Sequence, residues 1–117
     1  MDSLKIIEIA VKALDSKKAK DIDAIKIGDL TIIADYFLIA SGTSSTQVKA
    51  LADEVEFKLS EAGVEPDHIE GRATGWILLD YGSVVVHVFH EETRHFYDLE
   101  RHWSDGEHVD ISGMLTE

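Results

Sequence analysis

The stretch that most constrains this chain runs from Trp76 to Phe89 and reads Trp-Ile-Leu-Leu-Asp-Tyr-Gly-Ser-Val-Val-Val-His-Val-Phe. Two apolar runs, rich in β-branched and aromatic residues, flank Asp80-Tyr81-Gly82-Ser83. Gly82 has no Cβ to clash at positive φ, so the chain can reverse there. Trp76 to Asp80 and Ser83 to Phe89 are therefore read as an antiparallel hairpin. The second run is apolar at nearly every position, the pattern of a strand covered on both faces. Trp76, Asp80 and Tyr81 then stand out as a large aromatic, a carboxylate and a phenol at the ends of an apolar strand. They read as a surface for recognition more than for chemistry.

With 117 residues the chain is expected to form one domain whose core needs no staples. It has no cysteine, so neither a disulfide nor a thiolate zinc site is available. The apolar runs are strand-length, and no segment is expected to cross a membrane. The N-terminus, Met-Asp-Ser-Leu-Lys, lacks the layout of a signal peptide, and a soluble cytoplasmic protein is expected. Charge is unevenly spread: residues 1–20 carry a net +2 and residues 21–117 a net −14. Such a surface repels phosphate backbones, which disfavours direct nucleic-acid binding. It suits a basic protein partner, although acidity also serves solubility alone.

Taken in order, Leu4, Ile7, Val11 and Leu14 recur at helical spacing and predict an amphipathic helix to about Ser16. Lys17, Lys18 and Lys20 follow, where cations suit the helix dipole. Asp21 to Ile27 reads as a strand near a sheet edge, Leu30 to Ala34 as a connection, and Tyr36 to Ala40 as a central buried strand. Ser44 and Gln47 have capping-box spacing before a helix whose stripe is Val48, Leu51, Ala52, Val55, Leu59 and Ala62. Gly63 ends that helix and Phe57 falls off its stripe. His68 to Glu70 is a possible edge strand. A last helix places Phe96, Leu99 and Trp103 on one face, with Trp103 packed inside beside the other two. Asp105 to Glu117 reads as an acidic, mobile tail. The order α-β-β-α-β-β-β-α predicts an α/β fold, a mixed sheet of about five strands with helices packed on it.

Chemistry has little purchase on this pattern. The Gly42-Thr43-Ser44 turn, between a strand and a helix, is where a phosphate would sit, but the spacing and lysine of a phosphate loop are absent. Nucleotidyl transfer would need two carboxylates one residue apart after that turn, to hold magnesium. Asp21-x-Asp23 lies before it, and Asp67, Glu70 and Asp80 are scattered. His95, Asp98 and His102 share a helical face at zinc-like spacing, yet an ordinary solvated helix face explains them better. His87, inside the valine strand, reads as a hydrogen-bonded core histidine. No catalytic residue, metal site or cofactor is assigned.

Three blocks nevertheless occur together: Asp35-Tyr36-Phe37-Leu38-Ile39-Ala40-Ser41-Gly42-Thr43-Ser44, then Gly75 to Phe89, then Arg94-x-Phe96-Tyr97-x-Leu99-Glu100-Arg101-x-Trp103. In content and order they resemble the ribosomal silencing factor family, also called the Iojap family, over most of residues 1–104. The resemblance implies a compact domain with a nucleotidyltransferase-like fold that lacks the catalytic carboxylates, not an enzyme, followed by a tail over 105–117. It further implies binding to a basic protein of the large ribosomal subunit, ribosomal protein fourteen. A factor seated there blocks joining of the small subunit and lowers translation when nutrients are scarce. A large-subunit assembly factor is the alternative, and a homodimer in isolation is implied as well. Carried over by position, the expected contact residues are Trp76, Leu78, Asp80 and Tyr81 on the hairpin with Tyr97 and Glu100 on the last helix. Core packing remains an open alternative for Trp76 and Tyr81. The chain departs from the family pattern at Gln47, Ser83 and His102.

Overall fold

The computed structural model describes residues 2–28, 34–71, 75–98, 101 and 106–115. The chain runs α1 (Ser3–Ser16), β1 (Lys20–Lys26), β2 (Tyr36–Gly42), α2 (Ser45–Glu61), β3 (His68–Glu70), β4 (Trp76–Asp80), β5 (Val84–His90), α3 (Glu91–Tyr97) and β6 (Glu107–His108). A single 3-10 turn, Ser112–Met114, follows. One mixed sheet of six strands has the order β3-β4-β5-β2-β1-β6. Among these described strands, β2 and β5 pair in parallel and the other neighbours are antiparallel.

Local rules explain most of these boundaries. Asp2 caps α1 by accepting from Lys5 N, and Ser44 caps α2 by accepting from Gln47 N. Helix α2 ends in a Schellman turn: Val64 N donates to Leu59 O and Gly63 N to Ser60 O, with Gly63 at φ 86°. The hairpin forms as the sequence reading expects, with Trp76 opposite Phe89 and Asp80 opposite Val85. Strand β5 is buried from Val84 through Phe89, between β4 and β2.

Helices α1 and α2 pack on one face of the sheet. Ile7, Ala10, Val11 and Leu14 meet Val48, Leu51, Val55 and Leu59 over Leu38, Ala40, Ile77, Leu79, Val84, Val86 and Val88. Alternation sends Ile25, Phe37, Ile39, Val85 and Phe89 to the opposite face, where they form a second apolar cluster with Trp76 and Leu78 at its margin. Of the candidate functional residues, Trp76, Leu78 and Asp80 lie on this second face.

Three sequence expectations need correction. The sheet has six strands where about five are expected; β1 does lie near an edge, with only the two-residue β6 outside it among the described strands. Residues 106–115, read as part of a mobile tail, are docked: Val109 N donates to Ala24 O at 2.8 Å, and Ile111 is buried against the helical core. A two-residue strand has no periodicity to read, and Ile111 is flanked directly by the polar Asp110 and Ser112. The last helical stretch is also not continuous. Helix α3 ends at Tyr97, with Asp98 left-handed at φ 48°, and Arg101 is helical again, so Phe96 does not share one unbroken helix with the residues after Asp98. Phe96, read as part of one apolar face, is 80% exposed, while Leu99, His102 and Trp103 lie outside the described residues. Phe57 is exposed, as its position off the stripe predicts.

Candidate partner-binding face

Residues paired across neighbouring strands point to the same side of a sheet, so the registers read out the composition of the second face. One row runs His68, Asp80, Val85, Phe37 and Ile25; the next runs Glu70, Leu78, His87, Ile39 and Asp23. A third contains Trp76, Phe89 and Ser41. The centre of each row is buried, and it is apolar in two rows and His87 in the other. At the β3–β4 margin, by contrast, Trp76 and Leu78 are partly exposed and carboxylates stand beside them. The sequence reading selects Trp76, Leu78 and Asp80, and the fold places them in successive rows of one strand face.

Glu70 and His68 are members of this margin that sequence reading missed as contact residues. Glu70 pairs with Leu78, and its side chain is 67% exposed. His68 lies between two carboxylates, its Nδ1 3.7 Å from Asp80 Oδ2 and its Nε2 3.7 Å from Glu70 Oε1. Asp67 also approaches the hairpin turn, so the three carboxylates that look scattered in sequence converge at one sheet corner. Only the β3–β4 pairing brings them there, and three residues of edge strand give a weak sequence signal.

Asp80 has a structural duty as well. Its Oδ1 accepts from Gly82 N at 2.8 Å, which holds the turn, with Gly82 at φ 83°. Gly75 sets the opposite end of β4. Its carbonyl accepts from His90 N, and a Cβ there would lie 2.5 Å from Thr93 Oγ1. Trp76 follows as the first residue of β4. Its ring stacks on Phe89 with centroids 4.9 Å apart, and Nε1–H donates to His87 Nδ1 at 3.1 Å.

Tyr81 is not part of this face. It is 8% exposed and belongs to the helical core, a correction to its expected role as a contact anchor. Register explains it: alternation from Asp80 turns the next side chain to the other side. Burial, then the charges of Glu56 and Glu65, push its phenol pKa well above the ordinary range, and the hydroxyl has no hydrogen-bond partner among the described residues. Tyr81→Phe should therefore raise stability by about 1 kcal/mol, because it deletes a desolvated, unpaired hydroxyl. Urea unfolding checks this; a clear loss of stability would show that the hydroxyl is satisfied. Tyr97 closes α3 at the far end of the same strands, and Glu100 lies outside the described residues.

The phosphate-turn and carboxylate readings fall on described residues, whereas the His95, Asp98 and His102 set includes His102, which lies outside them. Thr43 N, at the proposed phosphate turn, donates to Gln47 Oε1 at 2.7 Å, and Gln47 Nε2 in turn donates to the carbonyls of Lys17 and Lys18. Gln47 thus closes the turn from inside the chain. Asp21 and Asp23 do border Ser41, since Lys20 pairs with Ser41 and Asp23 with Ile39. Together with Glu91, Arg94, His95 and Asp98 they line an open cleft of about 530 Å³. Arg94 donates to Ser41 Oγ there at 2.8 Å, and Asp23 is engaged by His108 at 2.8 Å. Among the described residues no three carboxylate or imidazole side chains are placed to hold a metal ion. Nor is any described helix long and apolar enough to cross a membrane.

Comparison with known proteins agrees with this architecture. A family model described as "ribosomal silencing factor during starvation" matches residues 1–117. The chain is similar to ribosomal silencing factor RsfS of Bacillus subtilis, with 41% identity over 118 residues and complete coverage of both chains. It is also similar to the mouse protein named mitochondrial assembly of ribosomal large subunit protein 1. That match has 33% identity over 102 residues and spans 84% of this chain and 45% of the mouse protein. Among solved structures, one from Chromobacterium violaceum superimposes with a TM-score of 0.87 at 39% identity, covering 96% of this chain and 93% of that one.

Proposed function

This chain belongs to the ribosomal silencing factor family, and from that membership we propose that it is a non-enzymatic translational repressor of the large ribosomal subunit. Its second sheet face docks on a basic ribosomal protein, number fourteen, and the bound factor excludes the small subunit by occupying the joining surface. One observation carries the reading: Trp76 and Leu78 form a partly exposed apolar strip, bordered by Glu70 and Asp80 on the same face. Aromatic and aliphatic side chains supply desolvated contact area, and flanking carboxylates select lysine and arginine on the partner. The chain's net charge of −12 favours encounter with a basic protein.

Co-sedimentation with separated ribosomal subunits, followed by a subunit-joining assay, tests the proposal. Selective pelleting with the large subunit and loss of joined ribosomes is the expected outcome, and absence of pelleting would refute it. A second reading is favoured by the name of the mouse relative: docking during maturation of the large subunit. Pelleting with no joining defect would select it. If acidity steers encounter, association should slow by about tenfold or more between low and physiological salt, while dissociation changes less. An association rate independent of salt would contradict the steering.

A further inference from the structure

His87 sits in the middle of β5, in the row between Leu78 and Ile39, and is 3% exposed. Its neighbours in the strand are valines and a phenylalanine. On the ring side, Phe37 meets it edge-on at a centroid distance of 4.6 Å, and Phe89 lies parallel at 6.2 Å. An imidazole is a poor choice for such a place if stability is the sole requirement. Nδ1 accepts from the Trp76 indole, which leaves the proton on Nε2, and Nε2 is buried without a hydrogen-bond partner among the described residues. An unpaired buried N–H is unfavourable, and an apolar side chain of similar shape would avoid it. A local choice that opposes the surrounding core points to function.

We propose that His87 is a positioning residue for partner binding: it fixes the Trp76 indole so that its apolar surface is presented ready to dock. The inference rests on the reading of Trp76 as a contact residue. Trp76 is half-buried, and its indole N–H is the one group of that side chain that would otherwise need a partner when the ring is covered. With that N–H already bonded to His87, docking leaves no orphan donor. The bond and the stack on Phe89 together restrict the ring before the partner arrives, so less freedom is lost on binding. Neutral imidazole is required for this, since protonated Nδ1 has no lone pair to accept with. Burial supports the neutral form by holding the His87 pKa down to about 4.

Two substitutions separate positioning from packing. His87→Phe keeps a ring against Phe37 and Phe89 but removes the acceptor. His87→Asn keeps an acceptor near the Nδ1 position but vacates ring volume. The expected result is that His87→Phe retains or raises Tm, shifts the Trp76 indole N–H resonance and weakens large-subunit binding by about five- to tenfold. His87→Asn should lower Tm yet bind nearer to wild type. The chain has two tryptophans, and a Trp76→Phe sample assigns the resonance. Binding that simply follows Tm across the two variants would overturn the proposal, as would an indole resonance unmoved in His87→Phe. If Trp76→Ala weakens binding and His87→Phe does not, positioning alone fails. If Trp76→Ala binds like wild type, the docking surface itself is wrong.

Discussion

Replacing Trp76 with alanine and Asp80 with asparagine should weaken binding to the large subunit by about 100-fold, close to 3 kcal/mol, with the far-ultraviolet circular-dichroism spectrum unchanged. The magnitude follows from the two roles. Trp76 is the largest partly exposed apolar side chain on β4, and truncation removes contact area while opening the strip to water. Asp80 lies one row past Leu78, and a charged partner contact there would account for the smaller share. Asparagine is chosen because its side-chain oxygen can still accept from Gly82 N and hold the turn. An alanine at this position would confuse loss of a contact with loss of the hairpin. Co-sedimentation at fixed salt gives the affinity, and an unchanged value beside a native spectrum would exclude this face.

The second large effect is on stability. The unfolded chain protonates His87 near the ordinary histidine value of 6.5, whereas the folded chain resists protonation until about pH 4. Between these values the unfolded state holds more protons, so acid favours unfolding. The contribution is fully present above pH 6.5 and lost progressively as pH falls, reaching about 3 kcal/mol near pH 4. For a domain of this size, that is a large part of the total stability. Urea unfolding at pH 7.5 and 4.5 measures it, and His87→Phe supplies the comparison, since carboxylates elsewhere titrate in both proteins. The wild type should lose more stability on acidification than the variant. Equal losses would mean that His87 is accessible to protons in the folded state.

Alternation and helical periodicity make much of the architecture legible in the sequence. Val84 to Phe89 is apolar at every position but His87, and it is a central strand for that reason. Ser44 and Gly63 mark the two ends of α2 through local hydrogen-bonding rules that need no tertiary information. The failures share one cause, which is that the deciding signal is not in the local pattern. Strand β6 is two residues long and exists because β1 offers it an edge. The apolar spacing after Glu91 runs on to residue 103, but Asp98 turns left-handed and ends α3, and the chain is helical again at Arg101.

The candidate site divides in the same way. Sequence alone determined that Trp76, Leu78 and Asp80 lie on one side of one strand, because side chains two apart share a face. It determined the acidic balance and the family resemblance as well. Only the tertiary structure decided which side of the sheet the helices cover, and therefore that Tyr81 is core while Leu78 borders solvent. Only the strand pairing brought Glu70 beside Leu78 and His68 beside Asp80, and set His87 beneath the Trp76 indole. Periodicity is a property of neighbours along the chain, and it separates the two faces of a strand without saying which is buried. That choice belongs to residues distant in sequence, which meet only when the sheet closes.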